Sequence, residues 1–301
     1  MTNTAVAFTP SSTQVVLEQA CRSVGLNPDG AILARLGENA MYRLRDESVM
    51  VRIGRSEQAA RKEAQVAEWL ASHEFRAVRL TGHGDQPVIA NGLPVTFWEF
   101  IDEDTQPVAS ADLGGMLRQL HALPEPTSFQ LPNFSPMPKA AERIHRLVEE
   151  GLLSSADAEF LRRRHREIAA EFADLEFFLP SGPVHGDAHA GNLMRSVNGT
   201  IKMIDFEDFC HGPREWDVAV EAVRHRALDW VSESDYRSYV EEYGFDIIDW
   251  PGFHTIRAAR ELNMTTWLAQ RLGQSMEIDT EVRQRISDLR DDQSPRHWRP
   301  F

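Results

Sequence analysis

Apolar positions fall in short strand-like runs through the first hundred residues and recur at helical spacing through most of the rest. Residues 15–24 predict a helix, with Ser11, Ser12 or Thr13 as N-cap and Gly25 as its stop. Met41-Tyr42-Arg43-Leu44 and Val49-Met50-Val51-Arg52-Ile53 predict two strands around the polar turn Arg45-Asp46-Glu47-Ser48. Over 56–72, Ala60, Ala64, Ala67, Trp69 and Leu70 fall on or near one helical face. Strand character returns at 78–80, 88–90 and 95–101, broken by Gly82-His83-Gly84-Asp85 and Asn91-Gly92.

Residues 102–109 are polar and irregular and read as a joint, which predicts one lobe over 1–101 and a second over 102–301. Helical spacing then dominates, at 111–122, 138–150, 156–175, 213–230, 234–243 and 255–272. One β-like interruption, 184–206, lies within this helical half. The basic and aromatic residues 294–301 could be docked or frayed. No repeat period or low-complexity tract is present.

The chain of 301 residues carries 32 Lys and Arg against 46 Asp and Glu, a net charge of −14. That balance disfavours nucleic acid and anionic membranes as partners and suits cationic or metal-chelated ligands. Two cysteines, Cys21 and Cys210, cannot build a disulfide framework or a Cys-based zinc site. Residues 1–10 lack a basic and apolar leader pattern, and no run approaches the ~18 apolar residues of a membrane span. A cytoplasmic location is the expectation. Nothing in the sequence sets an oligomeric state.

The chemistry concentrates in His185-Gly186-Asp187-Ala188-His189-Ala190-Gly191-Asn192 and the residues that follow. Two strand-like runs, 193–195 and 201–204, flank Ser196-Val197-Asn198-Gly199, and Asn-Gly is a strong hairpin signal. A hairpin brings Asn192, entering, beside Asp205, leaving, with Asp187 one short loop earlier. An amide oxygen and a carboxylate suit Mg²⁺, which takes few protein ligands and fills its shell with water and phosphate oxygens. Asp187 is then available to orient a hydroxyl and accept its proton.

His185 to Asn192, followed by Ile204-Asp205-Phe206-Glu207-Asp208, resembles the signature of the aminoglycoside phosphotransferase family of small-molecule kinases. The resemblance extends from about Gly37 to Val220 and is most specific at 185–208. It implies an α+β, bilobal, protein-kinase-like fold, with a small mixed β-sheet lobe bearing a helix and a larger, mostly helical lobe. It also implies Asp187 as catalytic base, Asn192 and Asp205 as magnesium ligands, His185 as a loop-shaping residue and Asp217 as its brace. Arg52 takes the place of the phosphate-contacting basic residue, with Glu63 as its helix partner, and the Gly37-Glu38-Asn39 stretch stands at the nucleotide loop. Trp98 and Phe100 lie in the segment matching the hinge whose backbone holds adenine. Arg52 stands where many members carry Lys, and Glu207 where protein kinases carry Gly.

Blander readings stand beside these. His185 and His189 have the spacing of a zinc-binding helix, but Gly186 replaces the Glu a zincin needs, and Gly186 and Gly191 oppose a helix. His189 reads better as a packed or hydrogen-bonding loop residue. Asp187, Asn192 and Asp205 could serve as turn residues, Arg52 and Glu63 as a solvated ion pair, and Glu207 and Asp208 as a further magnesium contact or as surface acidity. The acidic run Asp229, Glu233, Asp235, Glu241, Glu242, Asp246 and Asp249 fits an acceptor wall for a cation, or simply a solvated helix face. The expectation is an ATP- or GTP-dependent, Mg²⁺-dependent O-phosphotransferase acting on a small hydroxylated, cation-bearing acceptor. An aminoglycoside or other antibiotic is one candidate class. Primary metabolites such as amino sugars, choline-like alcohols or homoserine-like compounds are another, and a nucleotide-binding homologue without transfer is the third reading.

Overall fold

The computed structural model describes residues 8–291 and 294–301, so most of the N-terminal stretch read above as carrying no leader lies outside the described residues. In chain order its elements are α1 (Pro10–Ser23), β1 (Ile32–Leu36), β2 (Ala40–Arg43), β3 (Val49–Ile53), α2 (Glu57–Ser72), β4 (Val88–Ala90), β5 (Leu93–Glu99), α3 (Ser110–His121) and α4 (Ala140–Glu149). There follow α5 (Ser155–Ala173), β6 (Gly182–Val184), β7 (Leu193–Arg195), β8 (Ile201–Met203), β9 (Cys210–Gly212), α6 (Glu215–Arg226), α7 (Glu233–Tyr243), α8 (Phe253–Ala269) and α9 (Met276–Asp288).

The chain divides into two compact units. The first takes the described residues up to Val108, Pro126–Leu131 and Gly191–Phe209. Its sheet runs β1-β2-β3-β5-β4, with every pairing antiparallel. One core lies between this sheet and α1, built from Val16, Leu17 and Ala20 against Tyr42, Val51, Ile53, Val95 and Phe97. Burial of these side chains is the main favourable term holding the unit together. α1 starts earlier than its apolar spacing predicts, because Thr9 is the N-cap: its Oγ1 accepts from Ser12 N at 3.2 Å, and Pro10 opens the first turn. Residues 78–80 form no strand of their own; isolated bridges tie Ala77 to Met203 and Leu80 to Trp98.

The second unit takes Ala109–Glu125, Pro132–Ala190 and Cys210–Phe301. It is helical apart from the two-stranded pair β6-β9. α3 and α7 pack closely because position 114 is glycine: a Cβ there would come within 2.5 Å of Tyr239 O. The described C-terminal residues are docked. Trp298 is buried and donates from Nε1 to Asp288 at 2.9 Å, while Arg296 holds Glu261 through Nε and Nη2, both at 3.2 Å.

Candidate active site

In the first unit, β3 carries Arg52 in register with Met41 on β2 and Thr96 on β5. α2, capped by Ser56, buries Glu63 on its sheet-facing side. Arg52 Nη1 donates to Glu63 Oε2 at 2.6 Å and Nη2 to Glu207 Oε2 at 3.2 Å, with Asp205 Oδ1 3.7 Å from Nη1. Asn39, with its amide oxygen turned inward, accepts from Arg52 Nη2 at 2.7 Å and Nε at 3.3 Å. Arg52 thus serves several acceptors at once, which its planar fork of five donors allows and the single ammonium of Lys would not do in this geometry. Glu207 was left in the sequence reading as either a metal contact or surface acidity; here it is an ion-pair partner of Arg52.

Burial pushes the Glu63 carboxyl from its ordinary 4.5 up to about 7, against the pull of Arg52. Between those values the folded chain keeps a proton that the unfolded chain has released. Stability from this group is therefore full below about pH 4.5 and is lost as pH rises through about 7, a change on the order of 3 kcal/mol. Glu63→Gln holds the neutral form at every pH. It is expected to flatten the pH dependence of the urea midpoint between pH 5 and 8, and an unchanged slope would assign that titration to another group.

The predicted hairpin is present as β7 and β8, paired from Leu193 opposite Met203 to Arg195 opposite Ile201. Gly199 takes the positive φ of 83° that the turn requires, and Asn198 Oδ1 accepts from Thr200 N at 2.9 Å. At the open end Ile204 N donates to Asn192 O at 2.9 Å, so Asn192 is bonded to the residue just before Asp205. Asp205 has a φ of 64°, and its side chain is 46% exposed. A residue the sequence reading passed over, Lys62, donates from α2 to backbone carbonyls of the segment just after Asp205. No sequence signal marks it, because its acceptors are main-chain atoms more than 140 positions away.

Of the two residues expected at the hinge, Trp98 reaches the Arg52 cluster through its ring, 6.2 Å from that of Phe206 between Asp205 and Glu207, whereas Phe100 lies under the Arg43 guanidinium at 3.9 Å. Trp98 is buried in β5, opposite Met50 and bridged to Leu80, and its Nε1 donates to Thr96 Oγ1 at 2.8 Å. The Phe100 amide donates to Ser48 O at 2.8 Å.

In the second unit, the His185-Gly186-Asp187 loop leaves β6 and is held by the first turn of α6. Asp217, fully buried, accepts from His185 N at 2.7 Å through Oδ2 and from Gly186 N at 2.9 Å through Oδ1. Trp216 Nε1 donates to Gly186 O at 2.6 Å. Gly186 is therefore bonded at both its N–H and C=O, with a φ of 86° that suits glycine. His185 is buried, and its Nδ1 accepts from Asp187 N at 3.3 Å. Asp187 is half-exposed, and its Oδ2 lies 3.4 Å from His189 Nε2. Partial desolvation raises the Asp187 pKa, but the His189 contact and charge, with Arg260 and His185, outweigh it and hold the carboxyl well below the usual carboxylate range.

Sequence reasoning missed Trp216 and Arg260. The Arg260 guanidinium stacks over the Trp216 ring, 4.1 Å from its centroid, and donates to Trp216 O. Several residues of the acidic run have partners within the unit. Ser232 and Asp235 cap α7, Glu233 pairs with Arg237 and His225, and Asp246 accepts from Tyr236 OH at 2.7 Å. Among the described residues no group of three or more His, Cys, Asp or Glu could hold a metal ion by itself, and no helix is long and apolar enough to cross a membrane.

An antiparallel sheet carrying a buried helix carboxylate on its basic strand, followed by a helical unit with a braced His-Gly-Asp loop, is a kinase-like α+β fold. The family model APH, described as the phosphotransferase enzyme family, matches residues 32–258, and the chain belongs to that family. Among solved structures, the fold is similar to amicoumacin kinase hAmiN in complex with AMP-PNP, Ca²⁺ and Ami (TM-score 0.73, 13% identity, covering 96% of this chain and 97% of that one). It is also similar to a microcompartment-associated aminopropanol kinase (0.67, 16%, 93% and 95%). A third similar structure is spectinomycin phosphotransferase APH(9)-Ia with ADP and spectinomycin (0.61, 16%, 88% and 90%). At these identities the likeness shows the fold alone. A search of the curated proteins found no match.

Proposed function

We propose that this protein moves the γ-phosphoryl group of ATP or GTP to a hydroxyl of a small molecule. The observation that carries the reading is the hairpin base, where Asn192 O accepts from the N–H of Ile204, the residue just before Asp205, in a chain of the phosphotransferase enzyme family. Their donor set, one amide oxygen and one carboxylate, fits an ion that keeps most of its shell for water and phosphate, so these two residues would hold Mg²⁺. When bound, that ion supplies neutralisation of charge on the β- and γ-phosphate oxygens. Arg52, kept in place by Glu63, contributes fixed positive charge toward phosphate. Asp187, kept ionised and aimed by its braced loop, orients the acceptor hydroxyl and receives its proton. His185 and His189 shape the loop rather than react.

The similar structures bind or are named for antibiotics and an amino alcohol, and the chain's net charge of −14 favours a cation-bearing acceptor. The test is mass-spectrometric detection of product after incubation with Mg-ATP or Mg-GTP and a pooled panel of aminoglycosides, other antibiotics, amino sugars and amino alcohols. A gain of one phosphoryl group on a panel member is expected, and an Asp187→Asn control should lose it. Nucleotide binding with no transfer to any acceptor would favour the regulatory homologue. Absence of nucleotide binding would overturn the site assignment.

A further inference from the structure

We propose that Lys62 is a positioning residue that holds Asp205 in the backbone conformation from which it binds a divalent cation. This rests on the reading of Asp205 as a metal ligand.

Asp205 stands in the left-handed region at a φ of 64°. That conformation is disfavoured for a non-glycine residue and persists only where its surroundings enforce it. On the N-terminal side the enforcement is the Ile204–Asn192 backbone bond. On the C-terminal side it is Lys62, whose Nζ donates to Phe206 O at 2.8 Å, to Glu207 O, and to Phe209 O at 3.3 Å. A charged donor serving three carbonyls of one tight segment fixes where those carbonyls point, and thereby the dihedral angles of the residue that leads into them. The turn is closed by Phe209 N donating to Phe206 O at 3.2 Å. Phe206 and Phe209 are both buried, edge-on to each other at 6.3 Å, with Phe209 also against Trp69 of α2 at 5.9 Å.

The position of Lys62 in sequence gives the clamp a second consequence. Its neighbour on α2 is Glu63, which holds Arg52, and Arg52 reaches Glu207 and approaches Asp205. Two adjacent residues of one helix therefore fix the basic group and the backbone of the acidic group together. Aromatic packing alone would keep the segment buried, yet it sets no carbonyl direction. Lys62 supplies that direction.

The experiment reads metal binding, not turnover. Mn²⁺ is titrated by electron paramagnetic resonance into the full chain saturated with AMP-PNP, for the parent protein, Lys62→Met, Asp205→Asn and the double variant. Lys62→Met is expected to weaken Mn²⁺ binding about ten-fold while metal-free AMP-PNP affinity stays within about two-fold. Lys62→Arg, whose planar fork cannot converge on three carbonyls, should recover only part of the loss. In the Asp205→Asn background Lys62→Met should add no further loss, since it acts through Asp205. Additive losses, or an unchanged Mn²⁺ affinity in Lys62→Met, would overturn the proposal. If Asp205→Asn itself leaves Mn²⁺ binding intact, the ligand reading beneath it fails instead. Should Lys62→Met not fold, Lys62→Gln, which retains a donor, carries the same comparison.

Discussion

Asp187→Asn is expected to lower turnover by about 10²–10⁴-fold, the range removed with a positioned general base, equivalent to about 3–5 kcal/mol of barrier. The loop should survive the change, because its bonds at this position are made by the backbone. Asp187 N donates to His185 Nδ1 at 3.3 Å, and His189 N donates to Asp187 O at 3.1 Å. The side chain lies 3.4 Å from His189 Nε2. Nucleotide affinity should therefore match the parent, and the thermal midpoint should fall modestly with loss of the charge that His189, Arg260 and His185 favour. The depressed pKa of Asp187 keeps it ionised throughout the neutral range, the state that the proposed orienting of a hydroxyl calls for. Steady-state kinetics with the acceptor found in the product screen should show the loss in kcat, with KM for nucleotide unchanged. Undiminished turnover would remove Asp187 from the mechanism.

What the sequence made legible divides by range of interaction. The hairpin after Asn192 could be read because Asn198-Gly199 is a local turn signal between two local strand signals. Asp217 could be named because the family motif travels with it, although its acceptor role toward His185 and Gly186 spans about thirty positions. β1 escaped detection because it is an edge strand, largely exposed along its length, so no alternation of apolar residues marks it. α9 was missed because its buried stripe is only Ile278, Val282 and Ile286, mixed with buried Glu281, Arg285 and Asp288. Those charged residues are buried against the C-terminal residues: Arg285 bonds Glu281 and the Arg299 carbonyl, and Asp288 receives Trp298. The Arg52 cluster was half legible. Glu63 followed from the family resemblance, whereas Glu207 as a partner depends on a fold that returns the chain 155 positions later.

The largest structural effect is expected at Asp217. Its two oxygens satisfy the buried His185 amide and the Gly186 amide, and Oδ2 also lies 3.2 Å from His121 Nε2. With that ring nitrogen donating, His121 Nδ1 accepts from Tyr243 OH at 2.9 Å, so the network runs from the loop through α6 and α3 to α7. Asp217→Ala leaves at least two buried donors without acceptors, each worth about 1–3 kcal/mol, and should lower the melting temperature by more than about 5 °C. Asp217→Asn preserves shape but must turn an NH₂ toward one of the donors. It should show a smaller loss of stability together with a marked loss of kcat, because the donor left facing NH₂ belongs to the loop that aims Asp187. Acid adds a second signature. Burial acts to raise the Asp217 pKa, but the hydrogen bonds from the His121 ring and the His185 amide outweigh it and hold the carboxyl below its ordinary 3.8. Its stabilisation is thus present above that ordinary value and is lost as pH falls through the lower folded one. Acid unfolding followed by circular dichroism should be shallower in Asp217→Asn than in the parent. Equal steepness, with kcat intact, would show that the loop is held by Trp216 and its own turn and that Asp217 does not brace it.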